Sequence, residues 1–227
     1  MLPPKPLKAM LFDLDGTVAD THWLILKCYD HAMRTSLGVE GKREIWASRV
    51  GAPLDDILLA TCDHYGLPRS SNEELEKIKV LYRAHMREND ANLKPFPGII
   101  QTLVGLKSKG VRLAIVTTKH EQMAKRHMAT TGLTDFFEVV VAGDNVANCK
   151  PHPEPFELAL SQLGVAPEDA AMVGDSRLDI LGAKNAGLYS VAACWGTDHR
   201  EDLLAAEPDF VAETPREILE RVGGFGR

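Results

Sequence analysis

Four groups of polar residues are spaced so that they could do chemistry together. They are Asp13-Leu14-Asp15-Gly16-Thr17, Thr117-Thr118-Lys119, Lys150-Pro151, and Gly174-Asp175-Ser176 with Asp179 close behind. Aspartates gathered at one place repel: two like charges 4 Å apart cost ~4 kcal/mol at an effective dielectric of about 20. Such a cluster needs a cation or a shared proton. Carboxylate oxygens without His or Cys suit Mg²⁺, which keeps waters and takes substrate phosphate oxygens. A Thr hydroxyl and a Lys ammonium suit phosphoryl oxygens, and with a metal they neutralise charge that develops in phosphoryl transfer. A carboxylate can itself be the nucleophile. The sequence has no Gly-x-x-x-x-Gly-Lys-Ser/Thr loop and no Gly-x-Gly-x-x-Gly. That excludes a P-loop nucleoside triphosphatase and argues against a dinucleotide enzyme.

These residues act together only if the fold brings them together. Residues 9–12, 111–116, 139–142, 170–173, 189–194 and 210–211 are short apolar runs ended by polar or glycine punctuation, the pattern of buried strands. Helical patterns over 99–109, 119–131, 154–163, 178–186 and 215–222 separate them. The last opens on Thr214, Pro215 and Glu217, a capping box with Pro at the first helical position. Strand alternating with helix predicts an α/β fold, a Rossmann-like parallel sheet with helices on both faces. Residues 21–95 hold no convincing strand. Helices are expected over 21–36, 53–65 and 72–88, the third opened by Ser70, Ser71, Glu73 and Glu74. The domain reading is therefore a core of 1–20 and 96–227, with 21–95 as an all-helical insertion after the first strand. In a parallel sheet the carboxyl ends of the strands share one edge, where ligands bind at the switch point of strand order. All four polar groups follow expected strands, so they should meet there.

The chain has 227 residues, 44% of them hydrophobic, too apolar for a disordered protein and long enough to bury a core. Its 26 basic and 32 acidic side chains leave a net charge of -6, which argues against a nucleic-acid binder. The charge is uneven: residues 21–95 carry 11 basic and 11 acidic side chains, so the whole deficit belongs to the rest. Cys28, Cys62, Cys149 and Cys194 are scattered and read as small hydrophobes in a reducing compartment. No two histidines stand two or four apart, which disfavours a His-based metal site. Residues 1–8 carry Pro and Lys without a long apolar run, so no signal peptide is expected there. No stretch reaches the ~20 apolar residues of a membrane helix, and the expected location is the cytoplasm.

In sequence, Leu11-Phe12-Asp13-Leu14-Asp15-Gly16-Thr17-Val18-Ala19-Asp20-Thr21 resembles the first motif of the haloacid dehalogenase (HAD) superfamily of phosphohydrolases. Thr117 matches its second motif, Lys150 in Lys-Pro-His-Pro-Glu-Pro-Phe its third, and Gly174-Asp175-Ser176-Arg177-Leu178-Asp179 its fourth. The resemblance covers essentially the whole chain, and four ordered motifs are far more specific than one Asp-x-Asp. It implies that Asp13 attacks phosphorus and that Asp15, protonated at the start, serves the leaving group and then activates water. It implies Mg²⁺ held by Asp13, Asp15 through its backbone carbonyl, and Asp175. Thr117 and Lys150 would bind phosphoryl oxygens, with Thr118 adding its backbone N–H. Gly16 and Ser176 would support the loops, and Asp179 would orient Lys150 or a metal-bound water. Residues 21–95 would be a helical cap hinged near 18–21 and 94–98. Arg49, in Ser48-Arg49-Val50-Gly51, resembles the cap loop that dips toward the site and would bind a substrate carboxylate or distal phosphate.

Each residue has a plainer reading. Thr117 and Thr118 could cap the following helix, Lys150 could be a solvated loop lysine, Asp179 could cap its own helix, and Arg49 could be a surface arginine. The resemblance implies a phosphoric monoester hydrolase acting on a small phosphorylated metabolite, closest to the phosphoglycolate-phosphatase-like group. Val116-Thr117-Thr118-Lys119 and Phe136-Phe137-Glu138-Val139-Val140 resemble the related pyrophosphatases, and a phosphosugar mutase of the β-phosphoglucomutase kind would use the same two aspartates. No nucleic-acid or membrane partner is expected, and the chain would act as a monomer or homodimer.

Overall fold

The structure, a computed structural model, describes residues 6–197 and 199–223. The first five residues of the Pro- and Lys-bearing N-terminal stretch lie outside that range. Six strands form one parallel sheet: β1 (Ala9–Phe12), β2 (Arg112–Val116), β3 (Val139–Val141), β4 (Ala170–Gly174), β5 (Tyr189–Ala193) and β6 (Phe210–Ala212). Their spatial order is β3-β2-β1-β4-β5-β6. The chain builds outward from β1 on one side, then returns and builds outward on the other. The switch point falls between β1 and β4, whose residues pair in register from Ala9↔Ala170 to Phe12↔Val173. The parallel α/β sheet expected from the alternating pattern is therefore present.

The alternation of side chains along β1 divides the core. Met10 and Phe12 pack on one face with Ile99, Leu103 and Leu106 of α5 (Ile99–Ser108). Ala124 and Met128 of α6 (Glu121–Thr130) and Ile218 of α10 (Pro215–Gly223) join that layer. Ala9 and Leu11 pack on the other face with Phe156, Ala159, Leu160 and Leu163 of α7 (Glu154–Leu163) and Ala183 of α8 (Arg177–Asn185). Both faces of β1 are fully buried, which is why its sequence is a continuous apolar run. The short helix α9 (Arg200–Ala205) covers the β5 side through Leu203.

Between β1 and β2 the chain is helical: α1 (His22–Leu37), α2 (Arg43–Ala47), α3 (Leu54–Tyr65) and α4 (Asn72–Asn89), closed by a 3-10 turn over Asp90–Asn92. This insertion has its own core of Tyr29, Met33, Trp46, Ile57, Leu58, Leu75 and Ile78. A smaller cluster, Leu24, Cys28, Met86, Leu93 and Met123, joins it to α6. The α4 start is a capping box: Ser71 N–H donates to Glu74 Oε2 at 2.7 Å, and Glu74 N–H to Ser71 Oγ at 3.4 Å. The two chain passages into and out of the insertion are hydrogen-bonded to each other. Asp20 N–H donates to the Lys94 carbonyl at 3.0 Å, and Phe96 N–H to that of Val18 at 3.1 Å.

Two short helices, α2 and α9, were not expected; five or six residues are too few to display a helical period. The α6 helix begins at Glu121, two residues later than its apolar pattern suggests. Among the described residues no helix is long and apolar enough to cross a membrane.

Phe156 is fully buried between the sheet and α8, and Gly182 has no Cβ because the Phe156 ring lies where one would stand. Phe156→Ala is expected to destabilise the fold by about 3–5 kcal/mol, read from the denaturant midpoint.

Candidate active site

The switch point gathers the sequence-predicted residues. Asp13 follows β1 directly, and its N–H donates to the Val173 carbonyl of β4 at 2.9 Å. Asp175 follows β4, and Thr17 Oγ1 donates to its Oδ1 at 2.9 Å. Gly16 turns the loop between them with φ +73°, and a Cβ there would run into Asp175 Oδ2 and the His22 ring. Only glycine fits that conformation and that contact. Trp195 Nε1 donates to the Thr17 carbonyl at 2.9 Å and clamps the loop from the β5 side.

Lys150 is buried, and Nζ reaches three elements at once. It lies 3.0 Å from the Val116 carbonyl at the end of β2, 2.6 Å from Asp179 Oδ1 and 3.0 Å from Asp13 Oδ1. The solvated-loop reading of Lys150 is thereby replaced. Burial alone would lower its pKa, but the Asp13 and Asp179 carboxylates outweigh burial and raise it. Asp179 holds both roles weighed for it. Its Oδ2 accepts from Ser176 N–H at 3.1 Å and Ser176 Oγ at 2.6 Å, closing a capping box at the start of α8, while Oδ1 binds Lys150.

Burial pushes the Asp13 carboxyl well above the usual carboxylate range; Lys150 opposes this, and Asp179, Asp175 and Asp15 add to the rise. Burial and Asp179 push Asp175 up to about 8, against the Thr17 hydrogen bond. Asp13, Asp175 and Asp179 each present an oxygen within 4.8 Å of the others. Asp13 Oδ1 and Asp175 Oδ2 are both buried; the first is ion-paired with Lys150 at 3.0 Å and the second lies 3.4 Å from His22 Nε2. Buried carboxylate oxygens gathered this closely fit a hard divalent cation with oxygen ligands. Asp179 fits less well, because Lys150 and Ser176 already occupy both its oxygens.

Asp15 stands apart from this cluster. Its Oδ1 accepts from Lys119 Nζ at 2.7 Å. Burial would raise its pKa, but Lys119 outweighs burial, helped by His127, and the carboxyl is held below its usual value. The expectation of a protonated Asp15 is therefore corrected for the substrate-free site: an ammonium in direct contact keeps it ionised. Thr117 is buried, with Oγ1 accepting from Lys119 N–H at 3.2 Å. Neither Thr117 nor Thr118 caps α6. His120 occupies the cap position, and Asp144, from the loop after β3, accepts from Glu121 N–H at 2.7 Å.

A cavity of about 280 Å³ opens over Asp13 and Asp15, lined by Thr117, Thr118, Lys119 and, from the insertion, Arg49, Lys79, Arg83 and Tyr82. Arg49 sits in the loop between α2 and α3, where Nη1 donates to Ser48 Oγ at 2.7 Å. That loop presses on the core: Gly51, at φ +84°, has no room for a Cβ against Ser176 Oγ. A second cavity of about 330 Å³ lies beyond the loop, lined by Lys150, Asp175, Arg177 and His199, and Arg49 borders both. Lys79 is paired with Asp55 at 2.8 Å.

Reasoning from sequence gave no role to Lys119, Thr17, His22, Arg83 or His127. Lys119 carried a signal, because it shares the loop of Thr117. His127 carried one too: it follows Met123 and Ala124 on the buried face of α6, where an apolar residue belongs.

The site and sheet define a class, and a family comparison agrees: the model of the haloacid dehalogenase-like hydrolases matches residues 10–193. The chain belongs to that family. It is similar to the pyrophosphatase PpaX of Halalkalibacterium halodurans, 34% identical over 218 residues that cover 96% of this chain and 97% of that one. Among solved structures it resembles a haloacid dehalogenase-like family hydrolase from Streptococcus pneumoniae, with TM-score 0.79 and 29% identity over 95% of this chain and 98% of the other. It also shares the fold of a predicted phosphoglycolate phosphatase from Haemophilus somnus, with TM-score 0.85 and 24% identity over 95% and 97% of the two chains.

His127 is fully buried, and burial first, then Lys119, lowers its pKa from 6.5 to about 4. The unfolded chain takes up a proton there at a higher pH than the folded one. Its contribution is therefore complete above pH 6.5 and is lost as pH falls towards 4. His127→Asn is expected to remove about 3 kcal/mol of the stability lost across that window. Urea unfolding of both proteins at pH 7 and pH 4.5 measures the difference.

Proposed function

We propose that the chain is a Mg²⁺-dependent phosphohydrolase that works through an aspartyl-phosphate on Asp13, and that inorganic pyrophosphate is its foremost substrate. The observation that carries the chemistry is Asp13 itself: a buried carboxylate at the end of the central strand, lining the cavity and ion-paired with Lys150 at 3.0 Å. Asp13 would form a bond to phosphorus as the bond from phosphorus to the leaving oxygen breaks. Asp15, which lines the same cavity, would take up a proton as the anionic substrate enters and pass it to that oxygen. In the second step Asp15 would take a proton from water, the water oxygen would bond to phosphorus, and Asp13 would be released. The ionised Asp15 of the substrate-free site is the form this second step needs.

Lys150 and Thr117 would hold the phosphoryl oxygens, with the Thr118 N–H beside them. Asp13, the Asp15 backbone carbonyl and Asp175 would hold Mg²⁺. When bound, the ion supplies positive charge for the carboxylates and the phosphoryl group. Asp179 would act through Lys150. The insertion would serve as a cap over the crevice, excluding water from the first step.

The substrate reading rests on the cap side of the cavity. Among the described residues no carboxylate is ion-paired with Arg49 or Arg83, which both line it, so the entering molecule would carry a second anionic group. Pyrophosphate meets that need, and the identity to a pyrophosphatase over nearly the whole chain supports it. A second reading, a small phosphomonoester such as phosphoglycolate, draws support from the apolar part of the lining, Ile25, Val50, Met86 and Met123, for which pyrophosphate has no use. A mutase would release phosphate slowly, so steady phosphate release in the presence of hexose 1-phosphate would tell against one.

Asp13→Asn is expected to lower kcat by about a thousandfold or more with an unchanged circular-dichroism spectrum. Ordinary turnover in that variant removes the assignment. Chelation should abolish activity, and Mg²⁺ should restore it. Arg49→Ala and Arg83→Ala are each expected to raise KM for pyrophosphate about tenfold while leaving that for p-nitrophenyl phosphate nearly unchanged. Equal effects on both substrates would mean that neither guanidinium reads the distal group.

A further inference from the structure

Lys119 Nζ is held from two sides. One contact is Asp15 Oδ1 at 2.7 Å; the other is His127 Nδ1 at 3.3 Å. His127 projects from α6 into the interior, fully buried. An ammonium has only hydrogens to offer, so the ring nitrogen that faces it must be the acceptor. That assigns the tautomer: His127 is neutral, with Nδ1 bare and the proton on Nε2. Among the described residues Nε2 has no hydrogen-bond partner; Asp90 Oδ2 is 4.0 Å away. Asp90 is engaged by Arg126, whose Nη2 donates to its Oδ1 at 2.8 Å.

A buried imidazole with one unmet nitrogen is costly to keep. An apolar side chain would fill the same place on the Met123, Ala124 and Met128 face without that cost. The contact that distinguishes histidine from such a residue is the one to Lys119. We propose that His127 is a positioning residue: its Nδ1 fixes the Lys119 ammonium against Asp15 and so fixes the Asp15 carboxylate toward the cavity. The inference rests on the reading of Asp15 as the proton-transferring group. Lys119 has a flexible four-carbon stem and would otherwise sample other rotamers. A second acceptor at Nζ restricts it, and a proton-transferring group loses rate steeply when misplaced. Asp90 begins the 3-10 turn at the end of the insertion, and Arg126 belongs to α6. The same helix therefore carries the residue that holds Lys119 and the one that grips the exit from the cap.

The test uses the full chain with Mg²⁺ and two probes, pyrophosphate and p-nitrophenyl phosphate. His127→Leu should lower kcat about tenfold with little change in KM, because substrate contacts are intact. His127→Asn places an oxygen near the position of Nδ1 and should recover most of that loss. Lys119→Met should cost at least as much, and adding His127→Leu to it should cost nothing more, since His127 acts through Lys119. Nitrogen-15 spectra should show His127 neutral with its proton on Nε2. The inference is overturned by wild-type kcat in His127→Leu, by equal losses in the Leu and Asn variants, by additivity in the double variant, or by a proton on Nδ1. Asp15→Ala separates the two readings. If it retains full turnover, the role given to Asp15 fails; if it is inactive while His127→Leu is normal, only the role of His127 fails.

Discussion

One ammonium group in a dry place organises this molecule. Lys150 Nζ touches the end of β2 through the Val116 carbonyl, the end of β1 through Asp13, and the start of α8 through Asp179. Removing one member of a buried ion pair leaves an uncompensated charge, at a cost of about 3–5 kcal/mol. The carboxyl ends of two strands and the amino end of one helix are thus tied to a single point. The sheet order follows the same logic, because the reversal between β1 and β4 is what lets Asp13 and Asp175 share a crevice.

Around that point the two aspartates of the first loop live in different surroundings. Asp13 is buried and also crowded by Asp179 and Asp175, and its carboxyl is driven up. Asp15 is one residue removed from it through Leu14, has its own lysine, and is driven down. Two residues of one chemical type thereby acquire two characters, which is how a fold assigns different tasks to like groups. The uneven charge of the sequence has a related origin. The core carries the deficit because it houses the carboxylates, and the neutral insertion turns Arg49 and Arg83 toward them.

Much of this could be read from sequence. The apolar runs located every described strand within about two residues, because strands buried largely on both faces are nearly continuous apolar runs. The residues at those ends converge because a parallel sheet allows no other arrangement of its carboxyl edge. What could not be read was set by contacts distant in sequence. Lys119 shares a loop with Thr117, yet its partners Asp15 and His127 come from another strand and from a helix, and no local pattern joins them. The α6 helix starts two residues beyond the beginning of its apolar pattern, where Asp144, from the loop after β3, receives the Glu121 N–H. Asp179 was weighed between two roles, and the two oxygens of one carboxylate fill both.

The paired connectors at residues 18–20 and 94–96 have a mechanical meaning. Two single threads between a cap and a core would let the cap swing, twist and slide independently. Two threads laced together by backbone hydrogen bonds form a ribbon. A ribbon bends readily across its flat face and resists shear along its length. Such a joint would leave the insertion one principal arc of travel, and a return along it would bring Arg49 back over the same aspartates. The precision of that approach would then be set at the base, by two backbone hydrogen bonds.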